Sequence, residues 1–257
     1  TDLVTLGAVG SHHVLASALY GKELGLKIHA ALVPHPYSER IASTLRATVS
    51  TDAFLWSSPN EPVAALQCGF RYTQLLREGR RPVFVAPGGT SLTGVKSYME
   101  AADEVAHQMT KSAASIFDAQ FCVLGSGGTV AGLLASHWST PISKRLIAVR
   151  VYPSRLIGKL YLRRLARAPF HGVQPSGTTT STLFLDNAQL GSGYGHSTQE
   201  AEDAKALFAT DGIHLETTYT AKAAAALIEF ARREGHKKRL LFWNTYCPIL
   251  PEPESKK

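Results

Sequence analysis

The fold is decided by one stretch near the middle of the chain, Phe121-Cys122-Val123-Leu124-Gly125-Ser126-Gly127-Gly128-Thr129. Its first four residues are apolar, and the turn-forming glycines beside them mark the run as a buried strand. The glycine-rich residues that follow lead into a predicted helix over residues 129–136. A strand that passes into a helix through a short loop is the repeating unit of parallel α/β sheets. The stretch therefore predicts an α/β fold.

Strand-like and helix-like patterns alternate on both sides of this stretch. We predict strands over residues 3–6, 28–33, 82–85, 146–151 and 240–243. We predict helices over residues 11–24, 37–49, 61–79, 94–111, 198–210 and 220–234. This alternation is typical of mostly parallel sheets with helices on both faces, and it predicts three-layer αβα domains. The least patterned break, near residues 111–118, predicts a smaller α/β domain over residues 1–113 and a larger one over residues 114–257.

The loop of residues 125–129 has the composition of an anion-binding turn. Glycines let the backbone approach a ligand closely, and a helix start presents unpaired N–H groups with a partial positive charge. Ser126 and Thr129 add hydroxyl donors. The loop matches neither the dinucleotide-binding fingerprint nor the Walker A loop. The spacing of its glycines differs from both motifs, and no lysine follows the last glycine. The loop is a candidate phosphate site, and a tight turn that binds nothing would have the same composition.

Three further loops carry polar side chains that could serve a site. Gly7-Ala8-Val9-Gly10-Ser11-His12-His13 follows a predicted strand, at the strand end where parallel sheets bind their ligands. The others are Gly191-Ser192-Gly193-Tyr194-Gly195 and Glu216-Thr217-Thr218-Tyr219-Thr220-Ala221-Lys222. Each loop also has a purely structural interpretation. Ser11 and Thr220 could cap helices. Tyr194 could lie in a surface turn, and Tyr219 could pack in the core.

The composition narrows the class of protein. A chain of 257 residues with 44% hydrophobic and 18% charged residues is typical of a soluble globular protein. No apolar run is long enough to cross a membrane. Cys68, Cys122 and Cys247 are widely separated and predict neither a disulfide framework nor a zinc site, so we expect a cytoplasmic protein. Without an HExxH, CxxC or GxSxG motif, we expect no metal.

The net charge of +7 raises the question of an acidic partner. The most basic segment, residues 154–169, carries Arg155, Lys159, Arg163, Arg164 and Arg167. A nucleic-acid surface and an ordinary solvated helix face both have this composition. Since no recognised nucleic-acid module surrounds the segment, we expect a solvated face and no nucleic-acid partner.

Taken together and in order, these loops resemble the D-cysteine desulfhydrase and 1-aminocyclopropane-1-carboxylate deaminase family of pyridoxal-phosphate enzymes. The matching stretches lie at residues 7–13, 87–90 with 94–104, 125–132, 191–195 and 219–223. They span almost the whole chain. The resemblance implies the fold-type II architecture, which is tryptophan synthase β-like, with pyridoxal 5'-phosphate in the crevice between two domains. It also implies a homodimer.

The resemblance assigns expected roles to individual residues. Gly125, Ser126, Gly127, Gly128 and Thr129 would hold the cofactor phosphate, and Thr220 would lie against the pyridine nitrogen. His12 stands where the family usually has an asparagine that contacts the ring hydroxyl. Ser11, Tyr194 and Tyr219 match residues that line the substrate site, and they are our candidate catalytic groups.

The chain departs from the family pattern at several positions. Gly10-Ser11-His12-His13 replaces Gln-Ser-Asn-His, and Asn244-Thr245-Tyr246 replaces a more usual His-Thr-Gly. Both changes are expected near the pocket, so the substrate could differ from those of the named members. The family's Schiff-base lysine lies upstream of the segment matching Gly7, and Lys222 matches a lysine without a covalent role. Because the chain begins at Thr1, we interpret it as a fragment that lacks this lysine and expect it to be inactive as it stands.

The residue at position 220 indicates which reaction the resemblance favours. As the family is understood, ring-opening deaminases carry an acidic residue here, whereas desulfhydrases carry threonine. A neutral hydroxyl cannot keep the pyridine nitrogen protonated as a carboxylate would. Thr220 thus favours β-elimination from a small amino acid, with release of ammonia and a keto acid. Ring opening of 1-aminocyclopropane-1-carboxylate, or a non-catalytic binding protein that kept the fold, are the alternatives.

Overall fold

The computed structural model describes residues 1–171, 183–235 and 237–250. The chain forms two compact units, one of Thr1–Gly89 with Ile249 and Leu250, the other of Thr90–Pro248. These units place residues 90–113 with the second unit, whereas the sequence pattern assigned them to a first domain over residues 1–113. The domain boundary itself stays a prediction.

The first unit is built on a four-stranded parallel sheet. Its strands are β1 (Asp2–Ala8), β2 (Lys27–Val33), β3 (Phe54–Ser57) and β4 (Pro82–Phe84), in the order β3-β2-β1-β4. The helices are α1 (His12–Glu23), α2 (Glu39–Val49) and α3 (Glu61–Arg77), and each follows a strand. Buried residues run along both central strands, as expected where helices cover a parallel sheet. Gly25 follows α1 with a φ of 67°, the left-handed conformation in which glycine commonly ends a helix.

The second unit repeats this plan with a second parallel sheet. Its strands are β5 (Ala119–Leu124), β6 (Leu146–Arg150), β7 (Leu183–Asp186) and β8 (Leu240–Phe242), in the order β7-β6-β5-β8. The helices are α4 (Leu92–Lys111), α5 (Gly128–Ser139), α6 (Lys159–Arg167), α7 (Gln199–Ala209) and α8 (Thr220–Glu234). Short 3-10 turns lie at Ala168–Phe170 and Ala188–Leu190, and another at Pro87–Gly89 in the first unit.

Helices α4 and α5 pack tightly against each other in the core of the second unit. At Gly132 of α5, an added Cβ would lie 2.5 Å from both the Tyr98 Cβ and the Val95 carbonyl oxygen. The helices can approach this closely because Gly132 has no side chain. The core around them includes Leu124, Leu133 and other buried apolar residues of β5, β6 and α5.

The predicted α/β fold with two mostly parallel sheets is confirmed. The predicted elements are present, with ends shifted by up to three residues. The sequence pattern missed β3 and β7, which are four-residue strands at the outer edge of each sheet. Within the described residues, no helix combines the length and apolar character needed to cross a membrane.

Candidate cofactor site

The loop between β5 and α5 leaves a row of backbone donors without partners. Its N-cap residue, Gly127, has a left-handed φ of 101° and no capping side chain. By contrast, a Ser, Asn or Thr side chain caps the start of α1, α2, α3, α4 and α7. The N–H groups of Ser126, Gly127, Gly128 and Thr129 donate to no acceptor within the described part of the chain. Such a helix start binds anions.

The space beside this loop is open next to Gly125 and filled by protein next to Gly127. A Cβ added at Gly125 would meet no atom within 4 Å. A Cβ added at Gly127 would lie 2.9 Å from the Leu162 Cδ2 and 3.1 Å from the Tyr161 Cε1. The loop therefore rests on α6 through Gly127 and is open beside Gly125.

A neighbouring threonine holds the loop in place. The Thr90 hydroxyl donates to the Ser126 Oγ at 2.7 Å, and Thr90 Oγ1 lies 3.3 Å from the position of a Cβ at Gly128. The Tyr161 hydroxyl makes a long contact of 3.4 Å with the Ser126 carbonyl oxygen. Because Ser126 accepts its hydrogen bond from Thr90, its own hydroxyl hydrogen stays available for a ligand.

Tyr194 and Tyr219 are brought together in the second unit. Their hydroxyl groups are hydrogen-bonded to each other, and their ring centroids are 5.9 Å apart in an edge-on arrangement. Tyr152 packs edge-on against Tyr194 with a centroid distance of 5.5 Å. Burial raises the pKa of Tyr219 well above its ordinary value, and the contact with Tyr194 raises it further. Tyr219 is therefore held as a neutral phenol, and its hydroxyl shares a hydrogen bond with that of Tyr194.

The start of α8 fixes Thr220. The Glu216 carboxylate accepts the N–H groups of Thr218, Tyr219 and Thr220 at 2.9, 2.7 and 3.1 Å. The Thr220 Oγ1 in return accepts the Glu216 N–H at 3.1 Å. Burial raises the pKa of Glu216, and the three backbone donors oppose that rise. Since Thr220 Oγ1 acts as an acceptor here, its hydroxyl hydrogen remains free to donate.

Lys222 is a buried residue that the sequence interpretation left without a role. It has no exposed surface, and its Nζ donates to the Leu190 carbonyl oxygen at 3.1 Å. Burial lowers the pKa of the Lys222 ammonium, while the Glu216 carboxylate opposes that change. The signal in the sequence was a lone lysine among the alanines of residues 221–226, because a helix face made of alanine is usually buried.

Ser11 and His12 lie in the first unit, where β1 ends and α1 begins. The Ser11 Oγ accepts the Val14 N–H at 3.4 Å and caps α1, so the structural interpretation of Ser11 holds for this oxygen. The pKa of His12 is lowered by burial and, to a smaller extent, by Arg40. The His13 Nε2 lies 2.9 Å from the Thr5 Oγ1, which donates to the Val85 carbonyl oxygen at 2.8 Å. Because the Thr5 hydrogen is used, His13 must be the Nε2–H donor.

A cavity of about 330 Å³ lies in the second unit, and Asn187 and Ala188, just before the loop of residues 191–195, form part of its wall. Its wall includes Phe121, Phe184 and Phe230, with Arg145 and Arg233 beside them. None of the predicted site residues lines it. Within the described residues, no group of three metal-binding side chains was found.

Comparison with known proteins identifies the family. The model of the family described as pyridoxal-phosphate dependent enzyme matches residues 3–245. The chain belongs to this family. The predicted recognition and the predicted cofactor, pyridoxal phosphate, are thereby confirmed.

The similar proteins place this pyridoxal-phosphate enzyme in a narrower group. A putative 1-aminocyclopropane-1-carboxylate deaminase of Pyrococcus horikoshii is 30% identical over 95% of this chain and 73% of its own length. A D-cysteine desulfhydrase of Salmonella schwarzengrund is 29% identical over 88% of this chain and 70% of its own length. The crystal structure of an ACC deaminase homologue superimposes with a TM-score of 0.76 at 25% identity, covering 94% of this chain and 72% of that one. The protein is thus a member of the group that contains both kinds of enzyme.

The described residues suit the cofactor chemically. Four unpartnered N–H groups and the free hydroxyl hydrogen of Ser126 form the donor set that a phosphate ester needs. A side chain at position 125 would enter the open space beside the loop. The free hydroxyl hydrogen of Thr220 matches an unprotonated ring nitrogen. The individual roles of these residues stay predictions.

Proposed function

We propose that the protein catalyses β-elimination from a small amino acid, in the manner of a D-cysteine desulfhydrase, with release of ammonia and a keto acid. The observation that carries this proposal is Thr220, a neutral residue with a free hydroxyl hydrogen at the start of α8. An acidic side chain at this position would favour a protonated pyridine nitrogen and a stronger electron sink. With a hydroxyl at this position, the cofactor ring is a weaker electron acceptor. A weaker electron acceptor is sufficient when the departing group is a good leaving group such as sulfide.

The phosphate loop supplies the binding energy of the proposed site. The N–H groups of Ser126, Gly127, Gly128 and Thr129 would hold the phosphate, and His12 would donate to the ring hydroxyl oxygen. When bound, pyridoxal phosphate accepts the electrons of a bond that breaks at the substrate Cα. The protein residues decide which bond this is, because they orient the substrate and place the proton-transfer groups.

The tyrosine pair is the proposed proton carrier. Tyr219 is held as a neutral phenol by burial, and its oxygen is bonded to that of Tyr194. One hydroxyl can therefore donate a proton to a leaving group while the other replaces it. Ser11 is the proposed contact for the substrate carboxylate or amine, through the hydroxyl hydrogen that its capping bond does not use.

Ring opening of 1-aminocyclopropane-1-carboxylate is the second candidate reaction. It is favoured by the name of the Pyrococcus horikoshii relative. The two reactions give different products: a cysteine yields sulfide and pyruvate, whereas 1-aminocyclopropane-1-carboxylate yields 2-oxobutanoate without sulfide. A third reading, a non-catalytic binding protein, gives neither product.

One assay separates these proposals. The longest natural form of the protein is loaded with pyridoxal phosphate and incubated with D-cysteine, L-cysteine or 1-aminocyclopropane-1-carboxylate. We expect sulfide, ammonia and pyruvate in equal amounts from a cysteine. Formation of 2-oxobutanoate alone would replace β-elimination by ring opening. Tight cofactor binding without any keto acid would support the binding protein.

We also propose a cytoplasmic homodimer, as the family resemblance implies. Cys68, Cys122 and Cys247 form no disulfide within the described residues, and we expect this of a protein in a reducing compartment. Cys122 is fully buried, and burial raises the pKa of its thiol to about 12, so this cysteine is unreactive. Sedimentation of the holoenzyme measures the oligomeric state.

A further inference from the structure

Lys222 is anchored at the base of the loop that carries Tyr194. Its Nζ donates to the carbonyl oxygen of Leu190, the last residue of the 3-10 turn Ala188–Leu190. The same carbonyl oxygen accepts the Gly193 N–H at 3.2 Å. The turn before Tyr194 is thus closed by two donors on one oxygen, one from the loop itself and one from α8.

The loop has little rigidity of its own. Gly191, Gly193 and Gly195 have positive φ values of 60°, 125° and 80°, so three of its five residues are glycines in conformations that other residues rarely adopt. Glycine-rich segments have high conformational entropy when nothing holds them. A fixed position for Tyr194 therefore depends on contacts made from outside the loop.

Helix α8 provides two such contacts from neighbouring positions. Tyr219, the N-cap residue of α8, bonds to the Tyr194 hydroxyl, and Lys222 holds Leu190 three residues further along the helix. The start of the helix is itself fixed by Glu216, which accepts three of its N–H groups. The loop is therefore attached to one rigid helix start at both its base and its aromatic side chain.

The burial of Lys222 has no other evident purpose. Placing an ammonium group in the interior is unfavourable, and burial lowers the pKa of this one accordingly. A methionine or leucine would fill the same volume without that cost. The lysine adds a hydrogen-bond donor on a side chain that is long enough to reach from α8 to the Leu190 carbonyl oxygen.

We propose that Lys222 is a positioning residue that holds the loop of residues 191–195 so that Tyr194 meets Tyr219. The catalytic part of this inference rests on the proposed function, in which the tyrosine pair transfers a proton. The positioning part concerns the protein alone and can be measured without cofactor.

The test uses Lys222→Met, which keeps the length of the side chain and removes the donor. Hydrogen exchange is measured on the cofactor-free chain, with Lys205→Met as the control because Lys205 is exposed on α7. We expect exchange at the Gly193 amide to rise at least tenfold in Lys222→Met, while amides of Ala224 to Ala226 in α8 stay protected. If Lys222→Met does not fold, Lys222→Gln, a shorter donor, is compared in the same way.

Three outcomes would overturn the proposal. The first is unchanged exchange at Gly193, and the second is an equal rise along α8, which would make Lys222 a helix residue only. The third is a borohydride-reducible adduct of pyridoxal phosphate at Lys222, which would give it a covalent role. In the holoenzyme we expect kcat to fall about tenfold with little change in cofactor affinity. Absence of keto acid from the wild-type holoenzyme would refute the proposed function and leave the exchange result standing.

Discussion

The loop of residues 125–129 makes the sharpest prediction, because a Cβ at Gly125 would meet open space whereas a Cβ at Gly127 would meet α6. A valine at position 125 would place its methyl groups in the open space where no protein atom lies within 4 Å of the Cβ. We expect the fold to tolerate Gly125→Val and the ligand to be excluded. Gly127→Ala, by contrast, forces a left-handed φ on alanine and brings its Cβ within 2.9 Å of Leu162.

The expected magnitudes follow from the donors that are lost. If the valine blocks two of the four N–H groups, and each bond to a charged phosphate contributes about 1.5–3 kcal/mol, then binding weakens by about 3–6 kcal/mol. That corresponds to a loss of affinity of roughly 100-fold to 20,000-fold. The free energy of unfolding of Gly125→Val should stay within about 0.5 kcal/mol of wild type. Gly127→Ala should lower it by about 1–2 kcal/mol from the left-handed conformation alone.

The assay is calorimetric binding of pyridoxine 5'-phosphate, which carries the phosphate but has no aldehyde to react with a lysine. Urea unfolding of the same samples reports stability. The reasoning is refuted if Gly125→Val binds the ligand as tightly as wild type. It is also refuted if the two variants lose stability equally, because Gly125 would then be packed against protein.

Three other changes test particular hydrogen bonds and buried groups. Thr220→Val removes the hydroxyl that accepts the Glu216 N–H. We expect the free energy of unfolding to fall by about 1 kcal/mol and the absorbance of the bound cofactor to change, whereas Thr220→Ser should stay close to wild type in both measurements. Thr5→Val should abolish the Nε2–H preference of His13 in nitrogen NMR spectra, and Thr5→Ser should keep it; an unaltered spectrum in Thr5→Val would contradict the assigned hydrogen bond. Burial lowers the pKa of His137 below its ordinary 6.5. As the pH falls, this histidine is therefore protonated in the unfolded chain before it is protonated in the folded one. The free energy of unfolding then decreases below about pH 6.5, by at most about 1.4 kcal/mol per pH unit. His137→Leu should reduce that fall between pH 7.5 and 5.5, whereas His107→Leu at an exposed site of α4 should not; equal slopes in both variants would remove His137 as the cause.

The fold was predictable because its central strands carry long apolar runs and its helix starts carry Ser, Asn or Thr. The strands β3 and β7 escaped prediction, since four residues at a sheet edge give too short a pattern. The turn of residues 125–129 was predictable from its glycines between a strand and a helix, whereas its binding of a phosphate stays a prediction. What the sequence could not reveal was which side of the loop is open, because that depends on Leu162 and Tyr161 from a distant helix.

The contact between Tyr194 and Tyr219 was only partly predictable, because it joins residues that are far apart in the sequence. Tyr194 and Tyr219 were singled out by the family resemblance, but their direct contact is a long-range feature that spacing does not encode. The family resemblance gave Lys222 no covalent role, and only the burial of this side chain in the structure reveals its bond to Leu190. Thr90 likewise became meaningful only when it was found against Ser126.

The close approach of α4 and α5 at Gly132 means that the proposed phosphate site at residues 125–129 could be altered from a distance. Thr90, which steadies Ser126, immediately precedes the segment that caps α4, and α5 begins at the phosphate loop. A methyl group at position 132 would push the two helices apart and draw Thr90 away from the Ser126 hydroxyl. Gly132 lies one helical turn beyond the loop. Its substitution would then change how closely the Ser126 hydroxyl and the loop N–H groups approach one another.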